Sequence, residues 1–293
     1  MVEQMAGFPA DWRTRWLMFG EFFQDLPLAE FGEQVRRMGI TAVDLPIRPD
    51  SLITPAQAET DLPRAAQTLA TVGIRIAKLT TNIRDAYHPH TRPILQTARA
   101  LGITHYQIGS WLYRNFGDLR PLRHEIRARL RDLAALNAEL GLCGLIQNHS
   151  CEQFGANLAD LGFVLQDIPP QHVGIYYDPA HATIEGGGQG WLMSLDLIAD
   201  HIAALGVKDY RWVMGNQRHC GGQRRQSAEF CPLGDGHTPW TELLPLLRRI
   251  GFAGPVVFFG EYRDENCFAI LDAAAALNQT AADIHTFEGF MAS

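Results

Sequence analysis

The sequence predicts an α/β fold class, a single-domain (β/α)8 TIM barrel, and three observations carry that expectation. Eight short apolar runs recur along the 293 residues with helical segments between them, and alternation of this kind builds a parallel sheet. The length suits one barrel, which often takes about 250 residues plus insertions. Four runs end in polar clusters, QNHS at 147–150, DPAH at 178–181, GVKDY at 206–210 and FGEYR at 259–263, and polar chemistry gathered at strand ends suits a barrel mouth.

The strands are expected at WLMFGEFF from 16, TAVDLPI from 41, IRIAKL from 74, ITHYQIG from 103, CGLIQNH from 143, VGIYYD from 173, IAALGVKD from 202 and PVVFFGE from 255. One domain is expected over 1–293, with the barrel from about 16 to 275 and a C-terminal extension over 276–293. Ile126, Leu130, Leu133, Leu136 and Leu140 recur at three- and four-residue steps, with Arg127, Arg129, Arg131 and Glu139 off the stripe. That pattern is a surface helix packing inward, and Gly141 is its expected C-terminal stop. Residues 211–238 are rich in glycine and show no clean period, so they read as a long loop over the mouth, a candidate lid. In CPLGDGHTPW, Thr238 is the expected N-cap and Pro239 the first residue of the last helix.

A net charge of -7 and a pI near 5.9 argue against a non-specific grip on nucleic acid or on an anionic membrane. No run approaches the roughly 18 apolar residues that span a bilayer, and the N-terminal stretch lacks the pattern of a signal peptide, so the expected location is cytoplasmic. A small polar molecule is the expected partner, and a homodimer is the assembly to test. The five cysteines, Cys143, Cys151, Cys220, Cys231 and Cys267, form no CxxC pair and read as reduced thiols. Cys220 and Cys231 share the long loop but lack the paired spacing of a metal site.

Side chains two apart on a strand point the same way, which pairs Gln147 with His149, Tyr176 with Asp178, Gly206 with Lys208 and Phe259 with Glu261. Placing that parity inward brings Asp178, Glu261, Gln147, His149 and Lys208 to the mouth, with His181 close by. Asp178, Gln147 and Glu261 suit a divalent ion such as Mn, Mg or Zn. Lys208 could instead polarise a substrate carbonyl or, if desolvated, lose its proton and act as a base. Lys208, Glu261, His149 and His181 are therefore the candidate catalytic groups, and Gln147, Tyr176, Asp209 and Trp212 the candidate substrate contacts.

Other motifs have plainer readings. His88, Pro89 and His90 lack a third ligand nearby and read as a surface loop. GGGQG at 186–190 lacks the lysine and hydroxyl of a P-loop, so it reads as a flexible turn and no nucleotide cofactor is expected.

DPAHATIEGG, GVKDY and PLGDGHTPW, in this order, resemble the xylose-isomerase-like barrel family of sugar phosphate isomerases and epimerases. The resemblance spans about residues 16–275 and implies proton transfer next to a carbonyl of a sugar, a keto-sugar or a polyol-derived acid. It implies a metal held by glutamate, aspartate, histidine and glutamate from strands five to eight. Here Asp178 matches, Gln147 stands at the first glutamate and Gly206 at the histidine, and the last glutamate aligns with Phe259 or Glu261. Lost ligand charge lowers the affinity for hard metals, and Lys208 is positioned to serve as electrophile instead. A sugar lyase or dehydratase and a non-catalytic sugar-binding barrel are the alternatives. Abasic-site endonucleases share the barrel, but they use zinc ions and a basic groove, whereas this chain is acidic.

Overall fold

The structure, a computed structural model, describes residues 12–214, 226–264 and 268–292. Eight parallel strands among them close into a barrel. These are β1 (Trp16–Phe19), β2 (Ala42–Ile47), β3 (Arg75–Thr81), β4 (His105–Gln107), β5 (Cys143–Gln147), β6 (Val173–Tyr177), β7 (Ile202–Val207) and, after a two-strand ribbon, β10 (Val256–Phe258), which pairs back onto β1. The expected strand order holds, although the first run is shorter than predicted, since Glu21–Phe23 turns into a 3-10 helix.

Eight helices among the described residues surround the strands: α1 (Leu28–Arg37), α2 (Ala58–Thr71), α3 (Thr91–Ala100), α4 (Leu119–Leu140), α5 (Leu158–Leu165), α6 (Pro179–Ile198), α7 (Trp240–Arg249) and α8 (Ala273–Ala292). The apolar stripe predicted for α4 is its inner face, with Ile126, Leu130, Leu133 and Leu136 buried. Gly141 ends the helix at φ 68°, a left-handed conformation that costs glycine little.

Three expectations are corrected. The segment predicted as a C-terminal extension is most of α8, and Phe287 packs edge-on against Trp16, Trp240 and Phe258. Burying side chains of this size contributes about 1.5–3 kcal/mol each, which seats α8 as the eighth barrel helix. The described part of the predicted lid loop includes an antiparallel ribbon of β8 (Asp209–Met214) and β9 (Gln226–Cys231); residues 215–225, with Cys220, lie outside the described ones. GGGQG is a kink rather than a turn: α6 runs through it, and Gly187 and Gly188 depart from helical geometry.

The barrel interior is lined by Leu17, Phe19, Ala42, Cys143, Leu145, Tyr176, Ala204, Val257 and Phe259. Successive inward positions on β5, β6, β7 and β10 therefore continue to Gln147, Asp178, Lys208 and Glu261, the predicted parity. No described helix is long and apolar enough to cross a membrane. Cys151 is disulfide-bonded, which corrects the reading of all five cysteines as reduced, whereas Cys143 and Cys231 are free and buried.

Candidate active site

Asp178 follows β6 and caps α6, where its Oδ1 accepts the backbone N–H of His181 at 3.2 Å. Asn148 clamps its backbone on both sides, accepting from Asp178 N at 2.7 Å and donating to Asp178 O at 2.8 Å. The carboxylate is fully buried, and its Oδ2 accepts from Gln147 Nε2 at 3.1 Å and lies 3.3 Å from Lys208 Nζ. Burial pushes the Asp178 carboxyl up, opposed by Lys208 and the His181 N–H.

Lys208 is the centre of the cluster. Its ammonium lies 2.7 Å from Glu261 Oε2, 2.9 Å from His181 Nε2 and 3.3 Å from Asp178 Oδ2, and the rings of Phe230 and Phe259 flank it at 4.3 and 4.7 Å. Burial alone would push Lys208 down, but Asp178 and Glu261 outweigh it and hold the amine above its usual range. The carboxylates therefore favour the charged form of Lys208, against the direction in which desolvation alone would make it a base. Phe230 reaches it from β9, so the ribbon does cover part of the mouth as the loop was expected to.

The two histidines follow from the same charge. A protonated Lys208 donates to His181 Nε2, so His181 carries its proton on Nδ1 and donates it to Ser150 Oγ at 2.7 Å. Burial, His149 and Lys208 hold His181 well below its usual range. His149 stacks on it with centroids 3.9 Å apart and is pushed down to about 4 by burial and then by Lys208. Its Nδ1 meets the carbonyl of Ser150 at 3.2 Å, which leaves Nε2 as an unprotonated acceptor.

A cleft of about 400 Å³ opens on this cluster, lined by Gln147, His149, Lys208 and Glu261 together with Glu21, Arg48, Arg84 and Gln107. Three expected substrate contacts do not line it. Tyr176 lies fully buried in the barrel, stacked 5.9 Å from Phe259 with Lys78 Nζ 4.4 Å over its ring. Asp209 is 1% exposed and accepts the backbone N–H groups of Tyr210 and Thr238 at 2.8 and 2.9 Å, so it anchors the chain between the ribbon and α7. Pro239 occupies the N-cap of α7, and Thr238 makes no side-chain cap. Trp212 packs edge-on against Tyr210 on the ribbon.

A polar chain inside the barrel escaped the sequence reading. Lys78 Nζ pairs with Asp44 Oδ2 at 2.6 Å and donates to Thr80 at 3.2 Å; Thr80 contacts Gln107 at 3.2 Å, Gln107 donates to Gln147 at 2.8 Å, and Gln147 donates to Asp178. The available signal was a lone charge inside each of two apolar runs, Asp44 in TAVDLPI and Lys78 in IRIAKL.

Of Asp178, Gln147 and Glu261, expected to hold a divalent ion, the two carboxylates converge on the ammonium of Lys208, and Gln147 donates to Asp178. Gly206 leaves no donor between them: a Cβ there would lie 2.9 Å from Phe259 and 3.5 Å from Asp178 Oδ2. Among the described residues no group of three or more His, Cys, Asp or Glu is arranged to hold a metal. The residues present do not fit one, because the lysine occupies the focus of the carboxylates.

Solved structures share the fold over nearly the whole chain. A xylose isomerase-like TIM barrel protein from Mycobacterium smegmatis, in complex with magnesium, aligns with a TM-score of 0.70 at 14% identity, covering 94% of this chain and 97% of that one. A 3-keto-D-glucoside 4-epimerase from E. coli aligns at 0.65 and 16%, covering 93% and 99%. D-Psicose 3-epimerase from Clostridium cellulolyticum H10, solved with D-tagatose, aligns at 0.68 and 12%, covering 94% and 99%. No curated relative matches the sequence. At such identities the structural likeness establishes the fold, while a family model described as xylose isomerase-like TIM barrel matches residues 32–283 directly. With most of its length matched, the chain belongs to the xylose isomerase-like TIM barrel family.

Proposed function

We propose that this protein is a sugar isomerase or epimerase that moves a proton next to a carbonyl, with the Lys208 ammonium as its electrophile. The observation that carries this reading is a buried lysine lining a polar cleft, held by Glu261, Asp178 and His181. Of those three acceptors only Glu261 lines the cleft. Its departure frees one N–H of Lys208 for a substrate oxygen and unpairs the carboxylate. Glu261 then removes the proton from the carbon beside the carbonyl, the C–H electrons form the enediolate double bond, and the carbonyl electrons settle on the oxygen facing Lys208. Return of the proton from Glu261 to the former carbonyl carbon, with the proton of the neighbouring hydroxyl passing to the enediolate oxygen as that hydroxyl becomes the new carbonyl, completes isomerisation. Return to the opposite face of the same carbon gives epimerisation and needs a second donor. Fixed donors aimed at a developing oxyanion supply this kind of stabilisation.

The test is incubation of ketoses and keto-glucosides in D2O, followed by proton NMR. Deuterium entering beside the carbonyl, and lost in Glu261→Gln, is the expected result. No exchange and no product across the panel overturns the proposal. One observation favours a second reading, a barrel that binds sugar without turnover: all three N–H bonds of Lys208 are already satisfied within the protein. Saturable binding without exchange would support it.

A further inference from the structure

We infer that the substrate carries a carboxylate, bound by Arg84 with Arg48 in the same cleft that Lys208 lines. This rests on the proposed sugar-carbonyl reading and specifies its substrate class. Around Lys208 one cation faces two carboxylates, Asp178 and Glu261. The other charged lining groups are Arg48, Arg84 and Glu21, two cations against one anion in a protein whose net charge is -7.

Glu21 accounts for Arg48, whose Nη1 meets Glu21 Oε1 at 2.5 Å. Arg48 nevertheless lines the cleft together with Arg84, so its guanidinium adds to the positive charge there. Arg84 has no carboxylate partner among the described residues; its Nη1 donates to the backbone carbonyl of Ser110 at 3.2 Å, which supplies no charge. Arg84 also lines an adjoining cavity of about 440 Å³, so it stands where the two spaces meet and can be reached from the cleft. One surplus positive charge on a planar fork matches a monoanionic carboxylate, which a guanidinium grips through two parallel hydrogen bonds. A phosphate dianion would leave charge uncompensated there.

Calorimetric titration of wild type and Arg84→Gln with three probes of one carbon skeleton tests this: a neutral ketohexose, the ketohexuronate and the ketohexose 6-phosphate. The uronate should bind wild type about tenfold tighter than the neutral sugar, the scale of one charge-assisted contact, and that ratio should fall to about one in Arg84→Gln. Arg84 is exposed, so an unchanged melting temperature should accompany the loss. Equal binding of neutral sugar and uronate, tightest binding of the phosphate, or a ratio that survives in Arg84→Gln overturns the carboxylate assignment while the sugar reading stands. Binding of none of the three overturns both.

Discussion

His149 lies against His181 with ring centroids 3.9 Å apart and planes inclined by 30°. Both imidazoles are held neutral, His149 down to about 4 and His181 well below its usual range. An unfolded chain would protonate both near 6.5, so it binds more protons than the native state below that pH, and native stability falls as pH falls from about 6.5 towards 4. Each proton contributes up to about 1.4 kcal/mol per pH unit. Urea midpoints measured between pH 7.5 and 4.5 should drop steadily, and His149→Gln should flatten the profile.

Lys208→Met should abolish most activity and unsettle the fold together. The change leaves Asp178 and Glu261 facing each other without their cation, and breaking a buried pair from one side costs about 3–5 kcal/mol. Turnover should fall by about 10²–10³, the scale of removing one oxyanion donor. Chemical denaturation and steady-state kinetics on the same preparation check both effects.

Gln147→Glu replaces an amide that donates to Asp178 Oδ2 at 3.1 Å with an acceptor. Two carboxylates at that distance cannot both ionise cheaply, and the bond from Gln107 would remain. The variant should lose about 1–3 kcal/mol at pH 8 and recover part of it at pH 5.5, where one of the pair is protonated. Denaturation at the two pH values is the measurement.

Because the lysine occupies the focus of the carboxylates, added Mn, Mg or Zn should leave the melting temperature unchanged. Chelation should leave turnover of an identified substrate unchanged as well. Elemental analysis of protein purified without chelator should find no stoichiometric divalent ion. A bound ion with a thermal shift would mean that Lys208 leaves its three partners.

Gly206→Ala tests the tightness of the barrel beneath the site. The new methyl would sit 2.9 Å from the Phe259 ring, and overpacking of this kind costs about 1–3 kcal/mol. Phe259→Leu in the same chain should recover part of the loss, read from denaturant midpoints.

The barrel was legible because its strands end in polar residues two apart, and parity carries those positions inward whatever the loops do. Gln147, Asp178, Lys208 and Glu261 meet for that reason. Tyr176 shares the parity of Asp178 but lies one layer deeper, and depth along a barrel axis leaves no mark in a period of two. Asp209 adjoins Lys208 in sequence yet takes the other parity, which turns it to backbone N–H groups. The ribbon was missed because Arg211 and Glu229, which pair across it, belong to a register that only three-dimensional pairing reveals. Arg48 and Arg84 follow their strands, where a single sequence gives no reason to prefer one arginine over another.

The side-chain chain from Asp44 to Asp178 has a direction. A carboxylate can only accept, so Gln147 must turn its NH2 to Asp178 and its oxygen to Gln107; Gln107 must then offer its own NH2 and leave its oxygen towards Thr80. The single hydroxyl proton of Thr80 is thereby contested between Gln107 and Asp44. Protonating Asp178 would lift the constraint and let both amides rotate, so the charge state at the mouth of the barrel dictates the orientation of dipoles as far as Thr80.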